Sequence, residues 1–202
     1  MTDPYSERAP HFFNQYQQLV FEDVHRSWLH HLPGAPAHAL DIGAGSGRDA
    51  AALARWGWQV LAVEPAAELR QLAEETTKDL AVQWVEDSLP ELSRVHSPDQ
   101  RFHLILVSAV WMHLPPSQRH DAFSRLTDLL APSGVMVITL RHGPEDGERT
   151  FHKTSRGELE ELARTKDLTT LSTNDLLQRD RLGRDDVWWE TVVLIAATRS
   201  PA

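Results

Sequence analysis

Apolar positions along this chain come in short, mostly apolar runs separated by stretches of helical periodicity. Runs at 37–42, 59–63, 82–85, 102–107 and 135–140 predict strands. Between them, 48–56 (rich in alanine and closed by Gly57), 66–75 and 117–130 (stopped by Ala131-Pro132-Ser133-Gly134) predict helices. Apolar strands alternating with helices predict a parallel sheet covered on both faces. Ahead of them, 12–31 reads as one amphipathic helix, with Phe13, Tyr16, Val20, Val24 and Trp28 near helical spacing and a stop at Leu32-Pro33-Gly34-Ala35-Pro36. The tail breaks the alternation. A helix at 155–165 precedes strands at 168–171 and 188–198, and the polar stretch 179–186 between the strands reads as a turn, which predicts an antiparallel edge pair. The expected organisation is one domain over 1–202, with a helical cap at 1–36 and an α/β core at 37–202.

Composition narrows the class. With 202 residues, 41% hydrophobic and 24% charged, the chain can bury one substantial core, which excludes a disordered or fibrous protein. The longest apolar stretch, 102–112, is interrupted by His103 and Ser108 and is too short for the ~20 residues of a membrane helix. The absence of cysteine excludes disulfides, thiolate metal sites and a cysteine nucleophile. The start, Met1-Thr2-Asp3-Pro4-Tyr5, has no basic segment leading into an apolar one, so a cytoplasmic protein is expected. A net charge of -9 disfavours nucleic acid and points to a small-molecule or peptide partner. The 11 histidines include no His-x-x-x-His pair, so no metal is expected. Gly45-Ser46-Gly47 lacks the spacing of a hydrolase nucleophile elbow.

The first strand runs into Asp41-Ile42-Gly43-Ala44-Gly45-Ser46-Gly47-Arg48-Asp49. Glycines here let a ligand approach the backbone, and the following helix offers its free N–H groups. The dinucleotide fingerprint would need a glycine at 48, which is arginine. An acid two residues before the first glycine suits a ligand with an amino group or positive charge better than a pyrophosphate.

This loop resembles the first motif of class I S-adenosylmethionine-dependent methyltransferases. Val63-Glu64-Pro65 resembles the second and Glu86-Asp87-Ser88-Leu89 the third, while 102–114 and 130–135 resemble the fourth-strand region and the turn into the fifth. The resemblance covers 37–142. It implies a Rossmann-like α/β fold with a seven-stranded sheet in the order 3-2-1-4-5-7-6, strand 7 antiparallel, helices on both faces and S-adenosyl-L-methionine as cofactor. It implies cofactor contacts at Asp41, Gly43, Ala44, Gly45, Gly47 and Asp49, with the methionine end over Gly43 to Gly45 and Asp49 and Arg48 near its charged groups. The ribose hydroxyls fall to Glu64 with Pro65, and the adenine to Asp87, Ser88 and Leu89. Ser108 lies near the methyl group, with Tyr16 and His25 of the cap closing over.

The acceptor side is less legible, because the cofactor carries the reactivity and the protein mainly orients. Ser108-Ala109-Val110-Trp111-Met112-His113-Leu114 follows strand four. His113 is the candidate general base, with an ordinary pKa near neutral, or else packs the cap. Trp111 walls the pocket or fills the core, and His142, Glu22 and Asp23 are expected at the surface. Arg141 either clamps an anionic substrate or pairs with an acid. Ser108-Ala109-Val110-Trp111 stands where an Asn/Asp-Pro-Pro-Tyr motif would mark base amino-group methylation. The sequence therefore reads as a methyltransferase acting on an oxygen, nitrogen or sulfur of a small molecule. A tRNA or protein methyltransferase and a non-catalytic cofactor-binding protein stay open.

Overall fold

The computed structural model describes residues 4–95, 101–147, 149–173 and 177–196. An eight-stranded sheet runs through it. The strands are β1 (His38–Ile42), β2 (Gln59–Val63), β3 (Val82–Val85), β4 (Phe102–Val107), β5 (Leu130–His142), β6 (Leu168–Leu171), β7 (Leu177–Arg179) and β8 (Trp188–Ala196). Their order is β3-β2-β1-β4-β5-β8-β6, with β7 also paired to β8. The first five strands are parallel, and β8 inserts antiparallel between β5 and β6. This is the expected order with one short strand added. β7 lies on the same edge of β8 as β6, pairing Leu177 with Glu190. Its polar Leu-Gln-Arg sequence carries no strand signal of its own. Residues 197–198 of the expected last strand lie outside the described residues.

Seven helices accompany the strands among the described residues: α1 (Pro4–Glu7), α2 (Ala9–Gln17), α3 (Phe21–His25), α4 (Arg48–Arg55), α5 (Ala67–Thr77), α6 (Pro116–Leu129) and α7 (Arg156–Thr165). Alternate side chains of each strand enter opposite faces of the sheet. Leu104 and Leu106 join Leu53, Trp58, Phe21 and Trp28 under α4 and the cap. Ile105 and Val107 join Phe123, Leu126 and Leu159 under α6 and α7. No helix among the described residues is long and apolar enough to cross a membrane.

Two expectations need correction. The helix expected over 12–31 is broken into α2, α3 and a 3-10 turn at Leu29–His31, with Val20 extended (φ -84, ψ 127) and 54% exposed. The break lets the two halves do different things. Phe12 and Tyr16 stack on each other, with Phe12 against Tyr5 and Tyr16 on the cavity wall, whereas Phe21, His25 and Trp28 pack on α4. The turn expected at 131–134 is absorbed into β5 as an irregularity. Ser133 is left-handed (φ 58), and pairing with β4 shifts from Phe102–Leu130 to Leu104–Val135.

Strand order reverses between β1 and β4, which opens a crevice at their carboxyl ends. The glycine loop follows β1 and His113 follows β4, so both fall on this crevice.

Candidate active site

A cavity of about 770 Å³ lies over the carboxyl ends of β2, β1, β4 and β5, with Tyr5 and Tyr16 of the cap among its walls. That volume is in the range of small-molecule sites. One end is built by the loop after β1. Gly43 and Gly45 are left-handed (φ 63 and 55), and a Cβ on Gly43 would sit 2.5 Å from Val110 Cγ2. Only glycine fits that crossing of the two loops.

Glu64, at the end of β2, ties this loop down. Its Oε2 accepts from Gly45 N at 2.8 Å and its Oε1 from Ala66 N at 2.9 Å. Asp41 is buried beside the loop, and its Oδ2 has no hydrogen-bond partner. Burial, reinforced by the nearby Asp49 carboxylate, pushes the Asp41 carboxyl well above its ordinary range. Asp49 behaves oppositely. Burial works to raise it, but Arg48 grips it with Nε (2.6 Å) and Nη2 (2.9 Å), and His25 Nε2 adds a contact at 2.9 Å. The Arg48 charge, together with these hydrogen bonds, holds it below the usual carboxylate range.

His25 is therefore a buttress under the loop and no lid. It is fully buried, and its Nδ1 accepts from Trp28 Nε1 at 3.0 Å. Asp87, Ser88 and Leu89 border the cavity after β3. Both Asp87 oxygens are used in a turn, accepting from Ser88 N, Arg94 N and Val95 N. Ala44, Pro65, Ser108 and Tyr16 also line the cavity, whereas Gly47 does not; a side chain at 47 would press on Trp84.

The other end joins β4, β5, β8 and the cap. His113 Nε2 is 3.0 Å from the Tyr5 hydroxyl, and its ring centroid is 5.2 Å from that of Phe151. Burial, helped by Arg149, pushes the imidazole down to about 4, so the near-neutral value expected for it is corrected. Tyr5 and Tyr16 are raised by burial and stay protonated. Both phenol oxygens accept from Arg149 Nη1, at 3.0 and 3.4 Å, while Asp146 takes the other side of that guanidinium through Nε at 2.8 Å. This network joins the cap to the segment after β5. Arg141 is 6% exposed, donates through Nη1 to the Gly143 carbonyl at 3.3 Å, and lies 4.3 Å over the Phe151 ring. Burial and the neighbouring Arg184 lower its pKa.

Trp111 is fully buried on Phe123, outside the cavity, and His142 is half-buried against Glu190 at 3.1 Å. Sequence reasoning missed Tyr5, Arg149, Phe151, Asp180, Arg184 and Trp189, all of which line the cavity. Asp180 and Arg184 lie in the stretch read as a turn. There Asp180 accepts from Leu182 N and Arg184 N, from the Arg184 guanidinium and from Trp189 Nε1. Their spacing in a polar run was the one available signal; the rest meet only through the fold.

Residues 39–134 match the family model of a methyltransferase domain. The chain is 33% identical over 128 residues to protein-L-isoaspartate O-methyltransferase 2 of Rhodopseudomonas palustris (strain HaA2), covering 63% of this chain and 54% of that one. It thus spans about half the length of the curated relatives it matches. Among solved structures, it superposes on a SAM-dependent methyltransferase of Methanosarcina mazei with a TM-score of 0.70 at 17% identity, covering 85% of this chain and 97% of that one. It also superposes on 1,6-didemethyltoxoflavin-N1-methyltransferase of Burkholderia thailandensis with bound 1,6-didemethyltoxoflavin and S-adenosylhomocysteine, with a TM-score of 0.62 at 22% identity, covering 98% of this chain and 92% of that one.

Proposed function

We propose that this chain, whose residues 39–134 match a methyltransferase domain, is a class I S-adenosylmethionine-dependent methyltransferase and transfers a methyl group from S-adenosyl-L-methionine to a small-molecule acceptor. The observation that carries the cofactor assignment is Asp41 Oδ2, a buried carboxyl oxygen without a partner, beside a glycine loop held by a second acid, Glu64. An amino group or positive charge satisfies the first acid, and a vicinal diol suits the second. The residues present fit the cofactor's chemistry.

Bound there, the cofactor supplies a sulfonium methyl group open to in-line displacement. Gly43, Ala44 and Gly45 give backbone access. Asp41 and Asp49 face the cationic methionine end, Glu64 with Pro65 receives the ribose, and Asp87, Ser88 and Leu89 border the adenine. Asp87 serves there mainly by shaping its turn. Tyr16 and Tyr5 roof the cavity and exclude water; Ser108 lies where the two halves meet. His113, with its Nε2 engaged by Tyr5 and its basicity lowered, anchors this roof; serving as a base would require Tyr5 to give up its hydrogen bond. The protein's contribution is then chiefly orientation.

The cap supports the small-molecule reading, because the cavity it roofs suits an enclosed acceptor better than a folded macromolecule. The same proposal keeps the reaction in the cytoplasm and treats cap and core as one domain. Calorimetry tests the cofactor: S-adenosylhomocysteine should bind at micromolar affinity and NAD should not. Tight NAD binding without response to S-adenosylhomocysteine would remove the proposal's basis.

A further inference from the structure

Arg141 is a buried cation with no ion pair among the described residues, in a cavity whose other buried or half-buried arginines are all neutralised. Arg48 is paired with Asp49, Arg149 with Asp146 and Arg184 with Asp180. Glu190, adjacent in register on β8, is taken by Arg156 and His142. Arg179 and Arg181 lie at the exposed rim. Arg141 itself has five N–H donors, of which one reaches the Gly143 carbonyl, and its Nε has no partner. A desolvated charge in this condition is costly unless a counter-charge is supplied. Among the described residues, Asp146 and Asp180 act on Arg141 only at a distance and make their ion pairs with other arginines, which leaves its direct counter-charge to a ligand.

The position is also pre-organised. A cation–π contact with Phe151, 4.3 Å from Cζ to the ring centroid, holds the guanidinium in place. Phe151 in turn packs against His113, so this cation is held at the same end of the cavity as the residue that follows β4. Met112, Phe151 and Trp189 add apolar wall around it.

Building on the methyltransferase reading, we propose that the acceptor is a small molecule bearing a carboxylate or equivalent oxyanion on an apolar body, and that Arg141 binds that anion. A planar guanidinium matches such groups in geometry as well as charge. The acceptor's remaining surface rests on the aromatic wall, with its nucleophilic atom directed toward Ser108 and the glycine loop.

Ligand-observed NMR on the protein loaded with S-adenosylhomocysteine tests this, using benzoate, phenyl phosphate and benzamide as probes. An anionic probe should bind about tenfold or more tightly than benzamide, as expected for a charge-assisted contact. Arg141→Gln should abolish the preference and Arg141→Lys restore part of it, with S-adenosylhomocysteine affinity unchanged in both variants as proof of folding. Benzoate against phenyl phosphate separates carboxylate from phosphate recognition. Equal binding of all three probes, a preference that survives Arg141→Gln, or no anion binding at millimolar concentration each overturns the proposal. The same titrations on unloaded protein keep the two readings apart, since failure to bind S-adenosylhomocysteine counts against the cofactor and leaves the anion preference readable.

Discussion

Replacing Glu64 by glutamine separates its two roles. In the wild type its two oxygens accept from Gly45 N at 2.8 Å and Ala66 N at 2.9 Å, and the side chain is 6% exposed. Glutamine keeps the volume and one acceptor oxygen, but turns the other terminus into a donor facing an N–H group. One buried N–H then goes unserved, at a cost of about 1–3 kcal/mol. Urea unfolding should show a lower midpoint with an unchanged slope, because the surface exposed on unfolding is the same. The lost charged acceptor for the ribose is worth ~1.5–3 kcal/mol, or roughly a ten- to hundredfold rise in the dissociation constant of S-adenosylhomocysteine. Glu64→Ala would orphan both N–H groups and confound binding with stability, so the isosteric change is the cleaner test. An unchanged midpoint would refute the tether between β2 and the glycine loop. Lost stability with unchanged affinity would keep the tether and remove Glu64 from the cofactor.

Asp41→Asn should leave stability nearly unchanged, because burial already favours the neutral carboxyl, yet weaken cofactor binding. A cation bound beside Asp41 favours its ionised form, so wild-type affinity should rise with pH, and calorimetry in buffers of different ionisation enthalpy should detect proton release; no release would count against that contact. Gly43→Ala brings a Cβ to 2.5 Å from Val110 Cγ2 and should cost about 1–3 kcal/mol by overpacking, part of which Val110→Ala in the same chain should recover; no recovery means the clash is elsewhere. His113 falls from 6.5 in the unfolded chain to about 4 when folded, so its contribution is complete above 6.5 and is lost as pH falls toward 4. His113→Gln should flatten that limb of the stability curve, and an unaltered limb would show the ring to be solvated.

The fold was legible where burial alone decides structure. β2, β3 and β4 begin and end where the sequence places them; β4, buried along almost its whole length, needs no polar alternation, whereas the edge strand β3 keeps Gln83 exposed. α7 starts where Ser155 supplies its cap, accepting from Glu158 N. The cap was not legible as built. Phe12 and Phe21 are both buried but on different partners, and a helical period extended across Val20 could not reveal the change of partner. The donor half of the site follows from a contiguous loop and so could be read from sequence. The acceptor half brings Tyr5, His113, Arg141, Arg149 and Arg184 together from five separate segments, with long-range hydrogen bonds that only the folded chain defines.

The central claim is methyl transfer to a small molecule, and it is tested most directly by following label from methyl-labelled S-adenosylmethionine. The purified protein is incubated with a deproteinised metabolite extract, and in parallel with total tRNA and with total protein. Label should appear in a low-molecular-weight product together with stoichiometric S-adenosylhomocysteine, both strongly reduced at sub-saturating donor in folded Asp41→Asn and Glu64→Gln proteins. Label confined to tRNA or protein, or tight cofactor binding with no transfer to any pool, would contradict it.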